Sequence, residues 1–197
     1  VGIAFALLGT ILFSYAFSIS GLSKSLNWSD MMPVAHVLDK NILKIAFIFV
    51  LVGYGTKAGL APMHTWLPDA HSQAIAPISA LLSGVLLKTA VYAILRFGII
   101  LIKSGEMAYF THLMIFFGVI SLVISSGFIL IQKDLKRLLA YSSIEHIGII
   151  AIGFGLGSPL AIGGAILHIF NHAVTKSLMF FGAGNIVSAY KKHNMNS

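Results

Sequence analysis

Six apolar runs, each about the length a helix needs to cross a lipid bilayer, leave this chain few folds to adopt. A hydrocarbon core about 30 Å thick takes about 20 residues of helix. The runs fall at about 2–20, 42–67, 75–97, 108–132, 137–157 and 160–189. They lack the apolar–polar alternation of barrel strands, and in lipid an unpaired backbone amide has no water to bond. The expected fold is therefore all-α: a polytopic transmembrane helix bundle of about six spans, forming one membrane domain over residues 1–197. Residues 21–40, with Trp28 and Pro33, are expected to form an interfacial loop, with room in it for a short helix lying on the membrane. Only 10% of the 197 residues are charged, against roughly 25% in soluble domains.

The formal charge of +7 does not mark a nucleic-acid binder. Its basic residues do not gather on one solvated face, and several sit inside apolar runs. The chain has no cysteine, which excludes disulfides, thiolate-held iron–sulfur clusters and cysteine zinc sites within it. No basic region precedes the first run and no clear cleavage site follows it, so no secretory signal is read there. The chain opens on Val1 inside an apolar run, as expected of an internal piece of a longer protein. Basic residues divide evenly between alternate connections, so the positive-inside rule assigns no orientation.

Ionisable groups inside such runs carry the chemistry. Lys88 lies mid-run in "LLSGVLLKTAVYAIL", with about two turns of apolar residues on either side. A charged lysine at midplane costs at least about 2.5–3.5 kcal/mol on insertion scales, and snorkelling is hard from there. Such a lysine can gain and release a proton near neutral pH. A structural lysine bonded to a carbonyl or carboxylate is the plainer alternative. In "ILHIFNHAVTKSLMFF", His168, His172 and Lys176 are spaced i, i+4, i+8, which puts them on one helical face about 6 Å apart per step. Asn171 and Thr175 flank the stripe. Three such groups in register make a proton wire. In "YSSIEHIGII", Glu145 and His146 point about 100° apart on a helix. Glu145 can serve as charge partner to a lysine or histidine, or either residue can belong to a hydrogen-bonded structural pair with Tyr141 or Ser142.

The second run ends in "GYGTKAGLAPMHTWLPDAH", which holds Lys57, Pro62 and Pro68. Each proline removes a backbone donor and interrupts a helix, and Gly53, Gly55 and Gly59 loosen the same region. A discontinuous helix of this kind lines ion pathways in transporters. On spacing alone, a simple span end with a tight turn is the plainer reading. Trp66 suits the membrane interface, with Asp69 and His71 expected just beyond it.

Three stretches then resemble one family. "KAGLAPMHTWLPDAHSQAIAPISALLSGVLLKTAVYAILR", "DLKRLLAYSSIEHIG" and "HIFNHAVTKSLMFFGAGNI" are similar, in order, to signatures of the antiporter-like proton-channel subunits. These occur in respiratory complex I, in multisubunit cation/proton antiporters and in energy-converting membrane hydrogenases. "SIEHIG" and "NHAVTKSLMFF" look most like the formate-hydrogenlyase-type hydrogenase subunits. The resemblance covers about residues 42–190.

The resemblance implies a fold of about fourteen helices with inverted repeats and two broken helices, of which the six runs match the sixth to eleventh. It implies that the quoted stretch is the first broken helix. Lys57 matches the family's lysine there, gated by a glutamate on an earlier helix. Lys88 matches the central relay position, and His146 and His172 match relay histidines, with His168 and Lys176 extending the route. Neither the gating glutamate's helix nor the second broken helix lies in this sequence.

On this basis the chain is expected to be a proton channel without a redox site or cofactor of its own. Its expected partners are protons, the lipid of a prokaryotic inner membrane and other membrane subunits of an oxidoreductase complex, with no nucleic acid. Iron–sulfur, flavin or nickel–iron centres are expected in those partner subunits. Rival readings are a Na⁺/H⁺ antiporter subunit without redox partners, a haem-carrying electron-transfer protein, and a metal transporter using His168 and His172.

Overall fold

A computed structural model describes residues 2–21 and 27–190. Nine α-helices carry the described chain: α1 (Gly2–Ile19), α2 (Trp28–Met31), α3 (Lys40–Ala58), α4 (Trp66–Gln73), α5 (Ala76–Leu81), α6 (Leu87–Lys103), α7 (Met107–Ile129), α8 (Leu135–Leu156) and α9 (Pro159–Tyr190). A short 3₁₀ turn at Ala35–Val37 follows α2, and a π-helical turn at Leu82–Leu86 joins α5 to α6. The described residues contain no β-strand. The region expected as an interfacial loop is thus partly helical, and part of it lies outside the described residues.

Five helical segments are long and apolar enough to cross a membrane: Gly2–Ile19, Lys40–Ala58, Ala76–Lys103, Met107–Ile129 and Leu135–Leu156. The sixth run folds as α9, the longest helix at 32 residues. It falls short on hydropathy because His168, Asn171, His172, Thr175 and Lys176 interrupt its apolar sequence.

Small residues set the tightest helix contacts. A Cβ on Gly53 of α3 would lie 2.2 Å from the Ala6 nitrogen of α1, and one on Gly9 would lie 2.7 Å from the Val50 nitrogen. Between α7 and α8, a Cβ on Gly118 would meet the Gly148 carbonyl at 2.9 Å, and the reverse contact is 2.8 Å. Helices in lipid gain little from hiding apolar surface from one another. Close backbone approach, with its dispersion contacts, holds them instead. The side chains between them are apolar: Phe13, Phe47, Leu51, Ile94, Leu101 and Ile147 are fully or almost fully buried.

The second run breaks where its glycines and Pro62 predict. Asp39 caps α3 at its start, accepting from the Asn41 and Ile42 amides. Gly59, at φ 81°, ends it. The Gly59 amide then bonds the Thr56 carbonyl and the Leu60 amide bonds the Gly55 carbonyl, the paired closure of a Schellman motif. Residues 59–65 are non-helical, with a cis Ala61–Pro62 peptide, and the Ala61 amide donates to Ser121 Oγ of α7 at 2.9 Å. The freed backbone is therefore buried among protein groups, which is how broken helix survives at depth. Pro68 does not interrupt anything. It sits in the first turn of α4, where its missing N–H has no helical partner to lose.

Candidate functional site

The π-helical turn is where α6 meets α8 and α9. In that turn the Leu87 amide bonds the Leu82 carbonyl, five residues back, rather than that of Ser83. The Ser83 carbonyl is left to accept from the Lys88 ammonium. Extra-wide turns of this kind often mark functional positions in helices. Lys88 is half-buried. The carbonyl partner that a purely structural lysine would need is thus present.

Lys176 of α9 is 3% exposed. Its amine donates to the Leu139 carbonyl of α8 at 3.0 Å and to Ser142 Oγ. The Ser143 hydroxyl reaches the same Leu139 carbonyl at 3.0 Å and pairs with Ser83 Oγ at 2.9 Å. A chain of polar groups therefore runs from Lys88 through Ser83, Ser143 and the Leu139 carbonyl to Lys176. Buried amines need this many partners, because an unpaired charge in low dielectric costs several kcal/mol.

The histidines gather beside this chain. His146 of α8 bonds His168 of α9 through Nδ1···Nε2 at 2.9 Å. Its ring lies 5.0 Å from that of His168 and 4.9 Å from that of His172, while the two α9 rings are 6.4 Å apart. His146 thus stands between the two α9 histidines, a bridge that the i, i+4 spacing on α9 alone does not reveal. His172 is 4% exposed, and among the described residues neither of its ring nitrogens has a hydrogen-bond partner. Ser142, His146, His168, Asn171, His172, Thr175 and Lys176 line one cavity of about 400 Å³. Among the described residues, no group of three or more histidine, aspartate or glutamate side chains is arranged to hold a metal ion. Glu145 makes no ion pair among the described residues, and lies within electrostatic reach of Lys176.

Lys57 stands apart from this cluster. It sits in the last turn of α3, exposed, and lines a separate cavity of about 670 Å³ with Gly2, Ala6, Thr10, Gly53 and Trp66. None of that cavity's lining residues borders the cavity at the histidines. The Trp66 indole donates to the Thr56 carbonyl at 2.6 Å and fixes the cavity's rim.

Four residues of the site escaped sequence reasoning. His71, expected beyond the interface, is 0% exposed and stacks on Phe180 of α9 at 4.6 Å. Among the described residues, both its ring nitrogens lack partners. The half-helix α4 folds back against α8 and α9 and carries His71 inward, while Asp69 faces outward and pairs with Arg137 at 2.8 Å. His64, in the break, is buried 6.3 Å from the Tyr141 ring. Ser83 and Ser143 are both 0% exposed. Serine is common in membrane helices, where it often bonds its own backbone, so nothing in the sequence sets these two apart.

Comparison with known proteins agrees with this architecture. The chain is 46% identical over 188 residues to the hydrogenase-4 component F homolog of Methylacidiphilum infernorum, covering 94% of this chain and 40% of that protein. Its structure superimposes on a chain of an archaeal membrane-bound sulfane sulfur reductase with a TM-score of 0.88 and 27% identity, covering 99% of this chain and 39% of the other. It superimposes on a chain of Thermus thermophilus respiratory complex I with a TM-score of 0.76 and 27% identity, covering 95% and 40%. The chain spans about 40% of the length of these three relatives. The family model described as NADH:quinone oxidoreductase/Mrp antiporter, TM, matches residues 3–197, and this integral membrane protein belongs to that family.

Proposed function

We propose that this chain is the proton-carrying part of a membrane subunit in a redox-driven complex of the hydrogenase or NADH:quinone oxidoreductase type. One observation carries the reading: two lysines and three histidines from α6, α8 and α9 meet in an otherwise apolar bundle. Lys88 and Lys176 interact electrostatically. Two ammonium groups in a poorly screened interior repel, so a proton arriving at one favours release from the other. His146, His168 and His172 can each accept and pass that proton. Lys57, beside the broken helix, holds a proton at the other end of the route. Electrons move in partner subunits that carry iron–sulfur, flavin or nickel–iron centres, and the relatedness to a hydrogenase-4 component supports such partners.

The test uses the full-length subunit in its complex, reconstituted in vesicles. Lys88→Met is expected to lower proton translocation by about a hundredfold at unchanged assembly. Wild-type translocation in an assembled Lys88→Met complex overturns the relay. The Mrp half of the family description favours one second reading, Na⁺/H⁺ antiport without redox partners. Purification of the subunit from its native membrane distinguishes them: redox subunits accompany it in the first case and are absent in the second.

A further inference from the structure

We propose that Ser83 and Ser143 are positioning residues of the relay: their paired hydroxyls hold the Lys88 acceptor on the π-helical turn in register with the Lys176 acceptor on α8, so the two amines keep a fixed separation. The inference rests on the proton-relay reading and adds to it a part for two hydroxyls buried away from solvent.

The geometry is specific. Ser143 Oγ lies 3.0 Å from the Leu139 carbonyl and 2.9 Å from Ser83 Oγ, and either hydroxyl of the serine pair can be the donor. The Ser83 residue then does two things at once. Its hydroxyl ties the turn to α8, and its carbonyl, left over by the π register, receives Lys88. On the far side, the Leu139 carbonyl receives both Ser143 and Lys176. The turn is pinned against α9 as well, since a Cβ on Gly84 would lie 2.4 Å from Ser177 Oγ. Both hydroxyls are fully buried. Without the pair, the turn has no hydrogen bond to α8 among the described residues, and the Lys88 acceptor can drift relative to Lys176.

The electrostatic surroundings make such drift consequential. Lys88 acts on His146, His168 and His172, while Lys176 acts on Lys88 and His71 and feels Glu145. A change in one separation therefore alters the balance of the whole cluster.

The experiment measures proton translocation against pH in vesicles holding the full-length complex. Ser83→Ala and Ser143→Ala are each expected to displace the pH midpoint in the same sense, by on the order of half a unit. The double variant is expected to displace it no further, because the two side chains act as one bond. Ser83→Thr, which keeps the hydroxyl, is expected to restore the wild-type midpoint. A merely structural role would lower the amount of assembled complex and leave the midpoint where it was. Should Ser83→Ala fail to assemble, Ser143→Ala carries the test from the other helix. Wild-type midpoints in the assembled alanine variants, or additive shifts in the double variant, overturn the proposal. Lys88→Met, run alongside, separates the two claims: if it pumps normally the relay itself fails, and if it stops while the serine variants behave as wild type only the positioning role fails.

Discussion

The two lysine-bearing regions of this protein are built on opposite plans. Around Lys57, α1 and α3 approach through glycines until backbone touches backbone, and the lysine projects into an open cavity with no hydrogen-bond partner among the described residues. Around Lys88 and Lys176, hydroxyls and freed carbonyls fill the space between α6, α8 and α9, and both amines are bonded. The first region holds its shape without its charge. The second is shaped by its charges, because a buried amine must be given acceptors or be neutralised.

Arginine substitutions press hardest on this contrast. A guanidinium keeps its proton, so Lys57→Arg and Lys176→Arg are both expected to cut translocation by about a hundredfold. Their effect on assembly should differ. At 176 the planar guanidinium cannot reproduce the amine's bonds to the Leu139 carbonyl and Ser142 Oγ and is expected to cost about 1–3 kcal/mol, whereas at 57 the open cavity takes it freely. Quantifying assembled complex by native electrophoresis checks this, and equal assembly of the two variants breaks the contrast.

Glycine substitutions sharpen the other half. Gly53→Ala drives a Cβ into the α1 backbone and is expected to destabilise the α1–α3 pair by about 1–3 kcal/mol. Gly127→Ala, with nothing within 4 Å, is expected to be neutral or to gain up to about 1 kcal/mol from backbone entropy. Thermal unfolding in detergent reads both, and a harmless Gly53→Ala would show that close packing does not hold the first region. The smallest effect is expected at Lys44, whose pair with Glu106 at 3.0 Å is partly exposed. Lys44→Ala should cost about 0–1 kcal/mol and matter still less in high salt. A larger loss would mean that this rim pair supports the helix packing.

Much of the architecture was legible in the chain itself. Apolar length alone determines membrane-crossing helices, since lipid offers no other partner to the backbone. Gly59 and Pro62 marked an interruption because glycine and proline act on the backbone they belong to, but spacing alone left a simple span end open and only the family resemblance pointed to a broken helix. Lys88, His168, His172 and Lys176 announced themselves because charge in an apolar run has no cheap explanation. What remained hidden needed a second helix. Pro68 looked like a breaker, and only the position of α4 made it an opening residue. His71 looked solvated until α4 folded back onto Phe180.

The sequence by itself marked which segments are apolar enough to suit a bilayer and which ionisable side chains are costly inside them, because those are properties of one residue and its near neighbours. Only the tertiary structure decided that His146 bridges His168 and His172, that a π turn frees a carbonyl for Lys88, and that two plain serines join the lysines. Those depend on where three helices cross, and a hydrogen bond between residues 60 positions apart leaves no periodic trace in the chain.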